Sequence, residues 1–235
     1  ATVSLPLSGT DTTANYQSVL RGLTYLSTSE DPNNNDTPAN RSRTVTYSLS
    51  DGGSSGAGTG TGTTTRLINI VPINDTPALG GAGSTRTFTE NDPALLLEPS
   101  GWTLSDVDDT QMVSATVQIG AGLGSGDTLA AGSLPPGWTQ SYNAGTGTLT
   151  LSGAATNLAN VLSALETVRY SNASENPSTA QRTISWQVRD ANSDAASNGT
   201  QLSNTLTTTL NVVSVPDAPV AVDDVNSITE GSVSV

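Results

Sequence analysis

The chain has 235 residues, with 21 Asp and Glu against 8 Arg, no Lys, no His and no Cys, and a net charge of −13. This acidity disfavours nucleic acid as a partner. Without His, Cys or Lys the usual nucleophile and base pairs cannot be built, so we expect no enzyme. Only 34% of the residues are hydrophobic and 4% are aromatic, which favours thin β-sandwich cores over one large core. No apolar run reaches the length of a membrane span, so we expect no membrane insertion.

Alternation of apolar and polar residues is the main structural signal. In chain order it predicts the strands Thr44–Leu49, Met112–Ile119, Thr183–Val188 and Leu206–Val213. We also predict a hairpin around Gly145, one short helix over Asn157–Leu165, and a loop over the Ser/Gly/Thr-rich run at 54–65. About seven short strands per unit predict an all-β fold of β-sandwiches with Greek-key connections.

An internal repeat divides the chain. Three sequence blocks occur twice in the same order, and the distance between the two copies is nearly the same for each block. The first block ends at Pro32 and again at Pro177, the second begins at Arg43 and again at Arg182, and the third ends at Pro77 and again at Pro219. The TFTEND segment at Glu90 recurs as SITEGS at Glu230, again with that spacing. We therefore interpret 1–77 as the second half of one repeat, 78–217 as a complete repeat, and 218–235 as the start of a third.

The order of the motifs RYSN, RTISWQVRD and VPDAP over Leu151–Pro219 resembles the cadherin-like repeats of bacterial RTX adhesins. It is also similar to the chondroitin-sulfate-proteoglycan type repeat. The resemblance covers the chain as one half, one complete and one initial repeat. It implies tandem cadherin-like, immunoglobulin-like Greek-key sandwiches in an elongated array on the cell surface. Secretion, an extracellular location and Ca²⁺ at the joins between repeats are part of the same expectation.

The resemblance also implies which residues bind Ca²⁺. Its pattern carries over to Glu90 and Glu230 near a first strand, Asp106 and Asp108 in LSDVDD, Asp51 and Asp190 at the end of a late strand, Asn74 and Asp75 in the linker PINDTP, and Asp217 in the linker VSVPDAP. The second linker has Pro216 where an Asn is expected, and the Asp-Arg-Glu element of the family is missing. Glu30 and Glu175, in the matching SEDP and SENP turns, are candidates to replace that element.

Calcium fits these side chains because it is a hard cation that takes about six to eight oxygen ligands. Strand ends gather at the two ends of a sandwich. We therefore expect the Asp75 linker to meet Asp106, Asp108 and Asp190 at one end of the complete repeat. At the opposite end we expect Glu90 to meet Asp217.

The leading functional hypothesis is a structural or adhesive extender module whose partners are neighbouring repeats of the same protein. A second hypothesis is a self-assembling filament or surface-layer subunit that copies of the chain complete by strand donation. A third is a carbohydrate-binding module with a patch formed by Trp102 and Trp138, which the scarcity of aromatic residues disfavours. The segment GLGSGDTL at 122–129 resembles one Gly-rich calcium nonapeptide, but a single copy is expected to be a loop.

Overall fold

The computed structural model describes residues 3–32, 41–51, 60–98, 100–193, 199, 201–224 and 230–231. Two helices lie in these ranges, α1 (Thr13–Arg21) and α2 (Leu158–Leu165). The strands are β1 (Ser42–Ser50), β2 (Thr61–Asn69), β3 (Ala78–Gly80), β4 (Thr85–Thr89), β5 (Leu95–Leu96), β6 (Thr103–Ser105), β7 (Gln111–Ala121), β8 (Asp127–Ala131), β9 (Thr139–Asn143), β10 (Thr148–Asn157), β11 (Val168–Asn172), β12 (Arg182–Asp190) and β13 (Leu206–Val213).

The strands form several sheets. The largest has six strands in the order β4-β13-β12-β7-β10-β9, in which β4 and β13 run parallel and the other neighbours run antiparallel. A three-stranded sheet has the order β5-β11-β8, and β3 pairs with β6. The hairpin β1–β2 is a separate two-stranded sheet.

One hydrophobic core lies between the six-stranded and three-stranded sheets. All the buried hydrophobic side chains of the described residues fall between Leu79 and Val212. The two layers touch where Phe88 on β4 meets Tyr170 on β11 edge to face, with ring centroids 5.1 Å apart. The prediction of an all-β chain is thus confirmed at the level of a mostly β chain with several sheets.

Strand β12 shows why the sequence forms this sandwich. Its residues alternate between buried and accessible positions, so Ile184, Trp186 and Val188 enter the core while the intervening residues face outward. Strands β1, β7, β12 and β13 cover the four predicted strands, each within two residues of the predicted ends. The predicted hairpin around Gly145 is confirmed as β9–β10.

Side chains close the two edges of the sandwich. At one edge the Arg86 guanidinium donates to the Leu96 carbonyl at 2.9 and 3.1 Å, joining β4 to β5. At the other edge the Gln140 amide donates to the Ala131 carbonyl and accepts from the Ala131 N–H, at 3.2 and 2.8 Å. These contacts occupy backbone groups that would otherwise offer an open edge to another chain.

Helix α2 begins where the sequence predicts it. The Asn157 side chain caps the helix by accepting the Asn160 N–H at 2.9 Å, and the face formed by Val161, Ala164 and Leu165 is buried. Helix α1 was not predicted. Its cap is Thr12, the counterpart of Asn157 in the aligned repeats, so the repeat itself carried the missing signal.

The hairpin β1–β2 reproduces the register of β12–β13. Arg43 pairs with Ile68 in the hairpin, and Arg182 pairs with Leu210 in the domain. These are the counterparts that the sequence repeat predicts, because RTVTYSLSD aligns with RTISWQVRD and LINIVPINDTP aligns with TLNVVSVPDAP. The repeat is therefore visible in strand pairing as well as in sequence.

Two predictions are corrected. Residues 61–65 of the predicted loop belong to β2, because four of the five are Thr, a β-branched residue that favours strands. Residues 54–59 lie outside the described ranges. Trp102 and Trp138 are each 6% exposed, so they do not form a sugar-binding patch. Trp102 packs edge to face on Trp186, and the Trp138 indole donates to the Ala154 carbonyl at 2.8 Å. Within the described ranges neither helix has the length and apolar character needed to cross a membrane.

Candidate metal centre

A tight turn after β6 places three carboxylates side by side. Asp106 accepts the backbone N–H groups of Asp108 and Asp109, both at 3.2 Å, as an aspartate does when it organises a turn. Asp108 and Asp109 are each 2% exposed. The sequence SDVDD therefore folds into a local structure that turns acidic side chains inward.

The linker before β3 closes over this turn. The Asp75 N–H donates to Asp108 Oδ2 at 3.0 Å, and Asn74 Nδ2 donates to Asp190 Oδ2 at 3.0 Å. Asp190 ends β12, and its other oxygen accepts the Asn192 N–H at 3.0 Å. We call the resulting group the acidic cluster; its members are Asn74, Asp75, Asp106, Asp108, Asp109 and Asp190.

Three carboxylate oxygens of the acidic cluster are buried without a hydrogen-bond partner. They are Asp106 Oδ2, Asp108 Oδ1 and Asp109 Oδ2. A buried charged acceptor with no donor loses its hydration without compensation, at about 1–3 kcal/mol or more. Oxygens in that state need either a proton, such as one shared between the Asp106 and Asp108 carboxyls, or a bound cation.

Burial also changes the protonation of the acidic cluster. Loss of solvation, together with the neighbouring Asp106 carboxyl, raises the pKa of Asp108 from 3.8 to about 7. Burial raises the pKa of Asp190 to about 6, against the hydrogen bond from Asn74, and it raises the pKa of Asp106 as well. Without a cation these groups therefore retain protons at pH values where free aspartates have lost them.

The chemistry of the donors selects the kind of cation. The acidic cluster offers carboxylate oxygens and the side-chain amide of Asn74, which are ligands of hard cations such as Ca²⁺. Soft or borderline metals prefer His and Cys ligands, and the chain contains neither. The residues present fit Ca²⁺.

A second acidic group lies at the opposite end of the six-stranded sheet. Oxygens of Glu90, Glu175 and Asp217 lie within 4.8 Å of one another. Glu90 is 4% exposed; its Oε2 accepts the Val215 N–H at 2.7 Å, and its Oε1 is buried without a partner. Glu175 and Asp217 are exposed. We call this group the second cluster.

Strand direction explains why the two clusters lie at opposite ends. The acidic cluster includes the C-terminal end of β12, whereas the second cluster follows the C-terminal ends of β4 and β13. Strand β12 runs antiparallel to β13, and β4 runs parallel to β13. The C-terminal end of β12 therefore lies at the end of the sheet where β13 begins, and the C-terminal ends of β4 and β13 lie at the other end.

The predicted site residues fall into three groups. Asn74, Asp75, Asp106, Asp108 and Asp190 meet in the acidic cluster, and Glu90 and Asp217 meet in the second cluster. Asp51 follows β1, is exposed, and accepts the Gly60 N–H at 3.0 Å. Glu230 is exposed in a turn. The role of each of these residues as a metal ligand stays a prediction.

The structure adds Asp109, which was not among the predicted ligands. Its Oδ1 accepts the Ser193 N–H at 3.0 Å and also bonds the Ser193 hydroxyl, while its Oδ2 is the partnerless oxygen. The third acid of SDVDD was the available signal. Glu175, which the sequence offered as a replacement for a missing element, is the third member of the second cluster.

Asp127 in GLGSGDTL is not available to a metal. Its carboxylate accepts from Arg182 at 3.2 Å, from Gly124 N at 2.7 Å, from Asn172 at 2.7 Å, and from the Tyr170 hydroxyl. Burial alone would raise the pKa of Asp127, but the bonds from Arg182 and Tyr170 outweigh burial and lower it. This carboxylate holds the fold together.

Comparison with models of protein families gives no match, and comparison with curated protein sequences gives none either. The nature of the site is therefore argued from its residues. Several inward-facing carboxylates, partnerless oxygens and raised pKa values coincide at one end of the domain. That combination is suited to holding a divalent cation.

Proposed function

We propose that the chain is a Ca²⁺-binding structural module, an extender of a large repetitive cell-surface protein. The observation that carries the proposal is the set of three buried, partnerless oxygens of Asp106, Asp108 and Asp109 beside the linker. The charge of −13 and the absence of Lys, His and Cys support a role in which acidic groups bind cations and catalyse nothing.

The linker is the part of the molecule that Ca²⁺ would stiffen. Asn74 and Asp75 follow the hairpin β1–β2 and already bond to Asp190 and Asp108. A cation shared by linker and domain replaces carboxylate repulsion with attraction. The direction in which the preceding segment leaves the domain then becomes restricted. Extracellular modules of this kind bind Ca²⁺ with Kd on the order of 10⁻⁴–10⁻³ M, so the joint would stiffen after secretion.

The tandem cadherin-like arrangement is part of the proposal. It is supported by the internal sequence repeat, by the shared register of β1–β2 and β12–β13, and by acidic groups at both ends of the domain. A module with a cation at each end can join a repeat on either side. Its partners are then neighbouring repeats, and its place is outside the cell.

Calcium titration by calorimetry on the 235-residue chain tests the function. The three Trp residues lie in the domain and are buried, so their fluorescence follows domain unfolding in parallel melts with EDTA and with Ca²⁺. We expect saturable binding and a large rise in melting temperature, with a weaker effect of Mg²⁺, which dehydrates reluctantly. Absence of binding together with an unchanged melting temperature would refute the proposal.

The alternative function is a self-assembling filament or surface-layer subunit completed by strand donation. One observation favours it: the apolar side chains of Val3, Leu26 and Val71 are between 70% and 94% exposed. Light scattering separates the two functions. An extender stays monomeric over a range of protein concentrations, whereas a strand-donating subunit grows with concentration.

A further inference from the structure

Apolar side chains before the linker are exposed where their counterparts in the domain are buried. The repeat aligns Leu5 with Leu149, Leu7 with Leu151, Leu23 with Val168, Tyr25 with Tyr170 and Leu49 with Val188. The first members of these pairs are 67%, 46%, 39%, 46% and 46% exposed. Their counterparts are 1%, 0%, 0%, 0% and 0% exposed. Equivalent apolar side chains are thus covered by other residues in the domain, whereas in the described part of the preceding repeat they are exposed.

The domain shows what provides that cover. Tyr170 packs against Phe88 of β4, and β12, which carries Val188, pairs along its length with β7. Arg182 forms a buried ion pair with Asp127 of β8 at 3.2 Å. Strands β4, β7 and β8 all belong to residues 78–144, which we call the first-half segment.

The hairpin β1–β2 has a place for an equivalent segment. In the described sheets β1 pairs with β2 alone, whereas its counterpart β12 has β13 on one side and β7 on the other. The pairing of β1 with β2 matches the pairing of β12 with β13, residue for residue. Val45, Tyr47 and Leu49 therefore lie on the face of the hairpin that corresponds to the buried face of β12. An equivalent segment would pair an antiparallel strand with the open edge of β1, as β7 pairs with β12, and its second layer would pack over these side chains.

The arginine in β1 also indicates which side chain the added segment should carry. Arg43 stands in β1 where Arg182 stands in β12, within the same RT-x-x-x pattern. In the domain the acid that faces this arginine is Asp127, and the pair is buried. A segment that covers β1 in the same way therefore carries an aspartate at the position equivalent to Asp127.

We propose that the exposed apolar side chains of Leu5, Leu7, Leu23, Tyr25 and Leu49, together with the open edge of β1, receive a half-repeat with the pattern of residues 78–144. This half-repeat is joined on the N-terminal side, as the first-half segment is joined to β10 and α2 in the domain. It adds a strand to β1 and places an aspartate against Arg43. The inference rests on the tandem arrangement in the proposed function, and it names the partner of residues 3–73.

A lengthened chain tests the inference. A second copy of residues 78–144 is joined to Ala1, so that it meets Leu5 at the spacing with which it meets Leu149 in the domain. Hydrogen exchange of the β1 amides is measured in the original and the lengthened chain, with the β12 amides of the same molecule as the reference for a folded domain. We expect exchange in β1 to slow by about tenfold or more in the lengthened chain. The matched control carries Asp127→Ala in the grafted copy alone, and we expect it to lose most of that protection.

Two results would overturn the inference. One is equal β1 exchange in both chains while β12 stays protected. The other is self-association of the original chain with β1 already protected, which would make a second copy the occupant. Calcium titration of the same two chains separates this inference from the proposed function, because the acidic cluster does not include β1 or β2. Calcium binding without β1 protection removes the docking site and leaves the function intact.

Discussion

Buried aspartates in this domain have opposite roles, and the groups around them decide which. Asp127 and Asp108 are 3% and 2% exposed. Asp127 faces Arg182, two other side-chain donors and a backbone N–H, and its pKa is lowered. Asp108 faces Asp106 and keeps a partnerless oxygen, and its pKa is raised to about 7. The first carboxylate is therefore compensated within the chain, whereas the second requires a proton or a cation.

Replacement of Asp108 by Asn tests this distinction at one residue. Asp108→Asn removes a buried charge and a candidate ligand oxygen. We expect Ca²⁺ affinity to fall by about tenfold or more, because fewer charged oxygens remain in the site. In EDTA we expect an unchanged or higher melting temperature, because carboxylate repulsion is relieved. Calorimetry and Trp fluorescence measure the two effects.

The control for this variant is Asp223→Asn, which removes the same charge at an exposed position. It should change neither the affinity nor the melting temperature beyond a small effect of net charge. Equal Ca²⁺ affinity of Asp108→Asn and the unmodified chain would show that Asp108 is not a ligand.

The raised pKa values predict an unusual dependence of stability on pH in EDTA. The folded-state pKa values of Asp108 and Asp190, about 7 and about 6, lie above 3.8, so between these values the folded state binds more protons than the unfolded state. The free energy of unfolding should therefore fall as the pH rises from about 5 to about 8, by roughly 2–4 kcal/mol. Urea unfolding followed by Trp fluorescence at several pH values measures it.

Saturating Ca²⁺ should reverse this trend, because cation binding displaces the protons and strengthens as the pH rises. Asp108→Asn should flatten the curve in EDTA. The lowered pKa of Asp127 acts only in more acid solution, where stability is lost as the pH falls through that pKa. A free energy that rises between about pH 5 and about pH 8 in EDTA would contradict the interpretation of the acidic cluster.

Strand β12 connects the parts of the fold at the scale of elements. It begins with the buried Arg182, passes three core side chains, and ends with Asp190 in the acidic cluster. Arg182 bonds Asp127 on β8 and the Ser178 and Ala180 carbonyls of the preceding loop. The same strand thus anchors the three-stranded sheet at one end and positions a candidate ligand at the other.

Removal of the arginine should therefore destabilise the domain strongly. Arg182→Ala leaves the Asp127 carboxylate buried without its charge partner, for which we expect a loss of about 3–5 kcal/mol in the free energy of unfolding. The double variant with Asp127→Ala should lose less than the sum of the two single variants. Urea unfolding followed by Trp fluorescence measures each value.

Arg189→Ala is the matched control on the same strand. Arg189 is exposed and bonds Gln201, so its removal should cost less than about 1 kcal/mol. If the two arginine variants unfolded with similar free energies, the buried ion pair would not be the anchor of β8 to β12.

The whole molecule combines one packed domain with a high negative charge. The buried hydrophobic side chains of the described residues lie between Leu79 and Val212, while the chain as a whole carries −13. Carboxylates gather at both ends of the domain. Repulsion among them opposes folding unless protons, salt or cations reduce it.

An increase in ionic strength should consequently stabilise the domain in EDTA. Raising NaCl from about 0.01 M to about 0.3 M shortens the screening length from about 30 Å to below about 10 Å. We expect the melting temperature in EDTA to rise by several degrees. KCl should have the same effect as NaCl, because screening depends on the ionic strength and not on which monovalent salt supplies it. At saturating Ca²⁺ the rise should be smaller, since the repulsion is already neutralised. A melting temperature in EDTA that falls with salt would contradict this account.

The sequence by itself determined the elements whose signals are local. Alternation along short segments located β1, β7, β12 and β13, and the apolar spacing at Asn157–Leu165 located α2. The repeat also aligned β1 with β12 and β2 with β13, and the structure pairs these aligned residues in the same register. Such patterns suffice because the period of the side chains sets which face of an element is apolar.

The tertiary structure alone decided which polar and aromatic residues are buried, and against what. Trp102 packs on Trp186, which is distant in sequence, so it lies in the core although its neighbours in sequence resemble a loop. Helix α1 was missed because its local apolar spacing is weak. The motifs predicted that the Asp75 linker meets Asp190, yet the partnerless oxygens of Asp106, Asp108 and Asp109 emerge only from packing. Solvation and hydrogen bonding depend on distant segments, and for that reason the chemistry of the candidate site becomes defined when the linker closes over the end of the sandwich.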